Sequence, residues 1–287
     1  MTSLMLPGPT VSVSWLASHL GHARLILLDA SVKPAAAAAS TPPGPGATVQ
    51  IPGTRIFDFD KRICDPATAL PHMMPPPDLF EREVRLLGVR NDSVIVVYDR
   101  MGVYASPRAW WMFKAMGHEQ VAVLDGGLPA WLEAQLPCEP VGTQPVEPGD
   151  FVARPRPGLF CDAGHVAAAL EDQRYAVLDA RSQGRFLGRE PEPRPGLRPG
   201  HMPHALNLPF GTVQANGRMR ATEELAAIFA SRVEPRQKLI FSCGSGVTAC
   251  ILALAAELAG YRELAVYDGS WSEWGLPSSR PVVTEPG

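Results

Sequence analysis

The chain has 287 residues, of which 46% are hydrophobic and 19% are charged, and its formal net charge is −3. This length allows one large or two medium domains with a sizeable core. The weak negative charge gives no electrostatic footprint for nucleic acid or for a membrane surface. No apolar run approaches the roughly 18 residues of a membrane-spanning helix.

The number and spacing of the cysteines predict the redox state of the compartment in which the protein works. There are five of them, and none forms a CxxC pair; they are Cys64, Cys138, Cys161, Cys243 and Cys250. An odd count without metal-ligand spacing predicts free thiols in a reducing cytoplasm, with no metal and no cofactor. The first residues lack the basic start of a secretory signal peptide, so we expect no leader.

The first half of the chain alternates short apolar runs with helical patterns. The stretch 10–16 predicts a short strand or the start of a helix. The Ala-rich stretch 34–46, flanked by Pro and Gly, predicts a flexible loop. Strands are predicted at 25–30, 93–98 and 121–124, and helices at 79–88 and 105–116.

The second half repeats these motifs in the same order. Asp179 follows Asp29 by 150 residues, and Cys243 follows Asp99 by 144. A repeat of this length indicates a duplicated domain rather than a solenoid. Alternating strands and helices predict α/β domains with mainly parallel sheets. We therefore expect an N-terminal domain at 1–136, a Pro/Gly-rich linker at 137–158 and a C-terminal domain at 159–287.

The stretch around Cys243 carries the strongest chemical signal. A short apolar run ends at this cysteine, a Gly-Ser-Gly turn follows, and an Ala/Leu-rich helix is predicted over 247–259 with Gly260 as its cap. Backbone N–H groups and the positive end of a helix dipole would then point at one sulfur and favour the thiolate. Cys250 is expected in the helix interior as a core residue, with a resolving role as the alternative.

Such a loop is also compatible with a cysteine phosphatase. Those enzymes place an arginine six residues after the nucleophile, and here Ala249 holds that position, which argues against a phosphatase.

In the first repeat, Asp99 stands where the second has Cys243, and a carboxylate cannot act as a sulfur nucleophile. The sequence therefore predicts one catalytic domain and one catalytically silent partner.

Several motifs together resemble the two-domain rhodanese family and, within it, the 3-mercaptopyruvate sulfurtransferases. They span about residues 11 to 276: IPGTRIFDFD, HMMP, SPRAWWMF, DGGLPAW, GRFLGREPEPRPGLRPGHMPHALNLPF, CGSGVTAC and DGSWSEW. The resemblance implies two tandem rhodanese-like domains. Thiosulfate-preferring members carry basic residues in the active loop, whereas this chain has Gly244, Ser245 and Gly246. Gln50 replaces the histidine that usually precedes the first Ile-Pro-Gly.

The resemblance also implies residue roles. Cys243 would be the nucleophile and persulfide carrier, and Arg185 and Arg194 would hold the substrate carboxylate, as two guanidiniums suit a planar α-keto acid. Solvated surface arginines are the alternative interpretation. Arg181, Arg189 and Arg198, from the same basic run, are expected to be surface or structural residues.

A proton relay is implied as well. Ser245, Asp60 and His72 match family residues proposed for it, although each could instead serve a turn or a structural role. The remaining loop residues, Gly244, Gly246, Val247 and Thr248, are expected to contact the substrate.

Three functions remain open from the sequence. The first is a sulfurtransferase that moves sulfur from 3-mercaptopyruvate through a Cys243 persulfide to cyanide or a thiol such as a thioredoxin-like protein, releasing pyruvate. The second is a thiosulfate:cyanide sulfurtransferase. The third is a non-catalytic sulfur-carrier module. Neither nucleic acid nor a membrane is expected as a partner.

Overall fold

The computed structural model describes residues 4–32, 46–142 and 145–284, and the chain divides into two compact units. The N-terminal unit comprises Met1–Asp65, Met74–Arg156 and Asn216–Met219; the C-terminal unit comprises Pro66–Met73, Pro157–Ala215 and Arg220–Gly287. The segment Pro66–Met73 thus groups with the C-terminal unit although it precedes most of it in the chain. Apart from Gly46, the Ala-rich loop expected at 34–46 lies outside the described residues.

The N-terminal unit is built on a five-stranded parallel sheet. Its strands and helices are β1 (Thr10–Val11), α1 (Val13–His19), β2 (Leu25–Asp29), β3 (Val49–Gln50), β4 (Thr54–Ile56), α2 (Pro77–Leu86), β5 (Val94–Tyr98), α3 (Ser106–Ala115), β6 (Val121–Leu124), α4 (Gly127–Glu133) and β7 (Glu139–Pro140). The sheet order is β1-β6-β5-β2-β4, while β3 and β7 form a separate antiparallel pair. All five residues of β5 are buried, as expected of a central strand covered on both faces.

The C-terminal unit repeats this plan. Its elements are β8 (Phe160–Cys161), α5 (Ala163–Leu170), β9 (Tyr175–Asp179), α6 (Gln183–Phe186), β10 (Leu206–Asn207), a 3₁₀ helix (Phe210–Val213), β11 (Gln214–Ala215), α7 (Thr222–Ala230), β13 (Lys238–Ser242), α8 (Ala249–Leu258), β14 (Leu264–Tyr267) and α9 (Ser270–Trp274). Strand β12 (Arg218–Met219) follows β11 in the chain but groups with the N-terminal unit. Its parallel sheet has the order β10-β9-β13-β14-β8.

The two sheets are equivalent strand by strand. In the N-terminal unit Asp29 of β2 pairs with Tyr98 of β5, and in the C-terminal unit Asp179 of β9 pairs with Ser242 of β13. Asp99 and Cys243 therefore follow equivalent positions of equivalent central strands. The predicted fold class, two tandem α/β domains with mainly parallel sheets flanked by helices, is confirmed.

The helix after the cysteine loop differs in detail from its prediction. It begins at Ala249, two residues later than expected, so Cys250 lies in its first turn and not in the helix interior. Cys250 is nevertheless fully buried. Gly260 adopts φ 96°, and its N–H donates to the Glu257 carbonyl at 3.1 Å, as predicted for a glycine cap. Among the described residues, no helix combines the length and apolarity required to cross a bilayer.

Candidate active site

Cys243 lies directly after β13, at the carboxyl edge of the sheet of the C-terminal unit. We call residues 243–248, which connect β13 to α8, the cysteine loop. The loop turns back on itself at Gly246, whose φ of 73° is a conformation that glycine adopts without strain. Cys243 is only 2% exposed, so the residue is shielded from bulk water.

One side chain that the sequence analysis missed ties the loop together. Ser270 Oγ accepts hydrogen bonds from the N–H groups of Cys243 and Gly246, both at 3.1 Å, and donates to the Tyr267 carbonyl at 2.8 Å. Ser270 has φ 48°, and its equivalent Gly127 in the N-terminal unit has φ 54°. The alignment of Asp-Gly-Ser270 with Asp-Gly-Gly127 was the available signal, since a serine there keeps a glycine conformation to place a hydroxyl.

The carbonyl groups of the loop point toward α9. Trp271 N–H donates to the Cys243 carbonyl at 2.9 Å, and Ser272 donates to the Gly244 carbonyl through its N–H at 2.8 Å and its hydroxyl at 2.6 Å. Within the described part of this unit, the N–H groups of Gly244, Ser245, Val247 and Thr248 have no protein acceptor. Such a run of backbone donors beside a helix start forms a concavity suited to an anion.

Ser245 connects two of the predicted residues. Its Oγ lies 3.1 Å from His72 Nδ1 and accepts a hydrogen bond from Arg194 Nη2 at 3.3 Å. Because a guanidinium can only donate, the hydroxyl hydrogen of Ser245 remains available for His72 Nδ1. His72 is 8% exposed and has φ 64°, so the backbone is held in an uncommon conformation where this ring meets the loop.

Arg185 and Arg194 both reach the cysteine loop, although they precede Cys243 by 58 and 49 residues. A Cβ atom placed on Gly244 would lie 3.2 Å from Arg185 Nη2 and 3.8 Å from Arg194 Nη1. The two guanidiniums therefore flank the residue next to Cys243. They are not the solvated surface arginines of the alternative interpretation.

Behind Arg185 lies a buried chain of charges. Glu192 accepts from Arg185 at 2.6 and 3.2 Å and from Arg181 at 2.8 Å, and Arg181 is bidentate to Asp179. The Arg181 side chain is fully buried, with its guanidinium 4.0 Å from the centre of the Trp271 ring. Burial alone would lower the pKa of Arg181, but Asp179 and Glu192 outweigh it and raise the pKa. Arg181 is thus a structural residue, one of the two roles expected of it.

Asp60 lies in the N-terminal unit, in the turn after β4, and its N–H donates to Asp58 Oδ1 at 3.2 Å. The structure brings His72 and Ser245 together in the C-terminal unit; the part of Asp60 in a relay stays a prediction. Among the described residues, no cluster of three or more His, Cys, Asp or Glu side chains could hold a metal ion.

The equivalent loop of the N-terminal unit already contains an anionic group. The Asp99 carboxylate accepts from the N–H groups of Met101, Tyr104, Ala105 and Ser106 at 2.8–2.9 Å and from Ser106 Oγ at 2.7 Å. Burial raises the pKa of Asp99, while the hydrogen bonds from Ser106, Tyr104 and Met101 act in the opposite direction. Every one of these five contacts donates toward the carboxylate, so this loop geometry fits a deprotonated acceptor.

Two of the other cysteines are in surroundings that disfavour a thiolate. Burial, together with Asp162 and Asp268, raises the pKa of Cys161 to about 12. Burial and the nearby carboxylates of Asp58, Asp60 and Asp65 raise the pKa of Cys64. Both thiols are therefore poor nucleophiles near neutral pH.

Known proteins share this architecture. The family model for the rhodanese-like domain matches residues 12–134 and 162–276. The 3-mercaptopyruvate sulfurtransferase of Escherichia coli K12 is 37% identical over 273 residues, 95% of this chain and 96% of that protein. A thiosulfate sulfurtransferase of Cricetulus griseus is 42% identical over 230 residues, 78% of this chain and 76% of that protein.

A solved structure agrees. The crystal structure of SseA from Escherichia coli, described as a 3-mercaptopyruvate sulfotransferase, matches with a TM-score of 0.82 at 34% identity, covering 93% of this chain and all of that one. The chain belongs to the rhodanese family. Within that family it is a two-domain sulfurtransferase of the branch that the sequence motifs indicated.

Proposed function

We propose that the protein transfers a sulfane sulfur from 3-mercaptopyruvate to an acceptor through a persulfide on Cys243. The Cys243 thiolate attacks the thiol sulfur of the donor, the carbon–sulfur bond breaks, and its electron pair leaves on the enolate of pyruvate. The enolate takes up one proton to become pyruvate, and Cys243 retains the sulfur as a persulfide. A thiol, a thioredoxin-like protein or cyanide then attacks the outer sulfur and regenerates the Cys243 thiolate.

The observation that carries this proposal is the position of Ser245, two residues after Cys243, in contact with both His72 and Arg194. A proton source and a cation that can bind a carboxylate thus meet beside the candidate nucleophile. In this arrangement Ser245 and His72 would exchange the proton that the thiol loses and the enolate gains. Asp60 would complete the relay.

The duplicated domain supports an anionic intermediate in the cysteine loop. The Asp99 carboxylate satisfies the backbone donors of the N-terminal loop, whereas in the C-terminal loop Gly244, Ser245, Val247 and Thr248 present N–H groups without a protein acceptor among the described residues. A thiolate or persulfide sulfur at Cys243 would accept these bonds.

The donor is proposed to be a carboxylic acid because Arg185 and Arg194 flank Gly244. Planar guanidiniums recognise a carboxylate through paired hydrogen bonds. Thiosulfate is the second candidate, favoured by the Cricetulus griseus relative, and it shares the same persulfide. The cysteine content predicted a cytoplasmic location, which remains part of the proposal.

The test is to load the protein with 3-mercaptopyruvate and locate the added sulfur by mass spectrometry. We expect one sulfur, about 32 mass units, on Cys243. Cys243→Ser should abolish both loading and pyruvate release, and Cys161→Ser is a matched control that should load normally. Sulfur on any other cysteine would overturn the assignment. Protein that carries sulfur on Cys243 yet never passes it to cyanide or a thiol would favour the carrier module.

A further inference from the structure

Glu192 contacts one of the two candidate substrate arginines and not the other. Its side chain is 3% exposed, and its Oε2 lies 2.6 Å from Arg185 Nη2, the same nitrogen that approaches Gly244. Within the described part of the C-terminal unit, no carboxylate lies within salt-bridge distance of Arg194. The two guanidiniums that flank the loop are therefore electrostatically unequal.

The charges of this cluster can be counted. Asp179 and Arg181 neutralise each other, and Glu192 neutralises Arg185. Glu192 also accepts from Arg181, so Asp179, Arg181, Glu192 and Arg185 form one ion-paired chain with no net charge. What remains toward Gly244 is one net positive charge, that of Arg194. The hydrogen-bonding capacity of two arginines is thus combined with the charge of one.

We propose that Glu192 is a specificity-determining residue that limits the site to donors with a single negative charge. The proposal rests on the function proposed above. A mercaptopyruvate carboxylate matches one net positive charge and can still receive hydrogen bonds from both guanidiniums. Thiosulfate is a dianion, so a site with one net positive charge leaves half of its charge uncompensated. Glu192 itself touches no reacting atom and acts through Arg185.

The experiment is Glu192→Gln, with kcat/KM measured for 3-mercaptopyruvate and for thiosulfate with cyanide as acceptor. Glutamine keeps the size and one acceptor oxygen, and Arg181 retains its bidentate partner Asp179 and the Gly200 carbonyl. Glu190→Gln is the matched control, because it removes the same charge two residues earlier in the chain. The Glu190 carboxylate accepts a hydrogen bond from Ser182 Oγ. Both variants are compared with the wild type at low and at physiological ionic strength.

We expect Glu192→Gln to raise the ratio of thiosulfate to mercaptopyruvate kcat/KM at least about threefold, with a larger rise at low salt, because an added charge acts twice as strongly on a dianion. Glu190→Gln should leave the ratio within experimental error of the wild type. Equal loss with both donors, as a purely structural role predicts, would overturn the proposal, and so would an equal shift in the control.

A wild-type measurement covers the case in which Glu192→Gln does not fold. Pyruvate and inorganic sulfate are compared as competitive inhibitors against mercaptopyruvate, and the monoanion should bind more tightly than the dianion. Inhibition by sulfate that equals or exceeds that by pyruvate overturns the proposal. Failure of the underlying function looks different, because Cys243 would then take up no sulfur from either donor.

Discussion

Replacing Ser270 by alanine should damage the cysteine loop more than its small change in volume suggests. The hydroxyl accepts from two loop N–H groups, those of Cys243 and Gly246, and donates to the Tyr267 carbonyl. Ser270 is fully buried, so water cannot readily replace the lost partner. Each buried donor left without an acceptor costs about 1–3 kcal/mol, so the two donors together give roughly 2–6 kcal/mol for Ser270→Ala.

Two matched variants separate the contributions to this cost. Ser272→Ala also removes a loop hydrogen bond, but the Gly244 carbonyl keeps the Ser272 N–H at 2.8 Å, so we expect a loss of about 1 kcal/mol or less. Ser270→Gly loses the same hydroxyl as Ser270→Ala but relieves the left-handed backbone. It should be less destabilised than Ser270→Ala by about 1 kcal/mol.

The assay combines urea unfolding with hydrogen exchange of a peptide covering residues 238–258, since unfolding of two units need not follow a single transition. Exchange should accelerate at Cys243 and Gly246 in both Ser270 variants and stay near wild type in Ser272→Ala. Sulfur loading of Cys243 should slow in the same order. If Ser270→Ala and Ser272→Ala prove equally stable and equally active, the hydroxyl does not organise the loop and the reasoning fails.

Three further predictions concern the candidate site and its counterpart. Asp99→Ala should lower the free energy of unfolding of the N-terminal unit by about 3 kcal/mol or more, measured in urea, because several buried donors lose one acceptor; an unchanged midpoint would contradict this. His72→Phe should slow pyruvate release at least about tenfold with little change in the binding of pyruvate as an inhibitor, if the ring takes part in proton transfer; equal effects on both would indicate a structural role. Arg194→Ala should cost about 1.5–3 kcal/mol in kcat/KM for mercaptopyruvate, more than Arg189→Ala, a neighbouring exposed arginine; comparable kinetics for the two variants would refute its role.

The sequence predicted the inner strands of both sheets, because parallel strands buried on both faces appear as unbroken apolar runs such as 94–98. The edge strands β4, β8 and β10, of only two or three residues each, were not predicted. Helices α5 and α7 were not predicted. Helix α5, with the sequence Ala-Gly-His-Val-Ala-Ala-Ala-Leu, consists mostly of small apolar residues with little amphipathic contrast. Helix α7 has two glutamates in its first turn and no side-chain hydrogen bond from its N-cap residue Ala221. Periodicity is a weak guide for such segments.

The candidate site was predictable only in part. A motif can name Cys243, Arg185 and Arg194, but the sequence does not indicate that Glu192 binds one arginine and not the other. That difference depends on side-chain directions over a Pro-rich segment that has no regular repeat. The approach of both arginines to Gly244 also means that a bulky cation placed at this position to attract thiosulfate would crowd and repel them. A substitution at Glu192, which is ion-paired with Arg185, is therefore the better way to alter donor preference.

The carboxylate inside the N-terminal loop has a consequence for how the protein responds to its substrate. The acceptor for the backbone N–H groups of that loop is the Asp99 side chain, which is part of the chain itself. These hydrogen bonds are therefore the same whether sulfur is plentiful or absent. The C-terminal loop, in contrast, would fill and empty with every catalytic cycle. Each molecule thus contains one loop whose backbone donors always have an acceptor and one loop whose acceptor would change during turnover. The N-terminal loop is therefore an internal reference, in the same sample, for any change in hydrogen bonding of the cysteine loop during turnover.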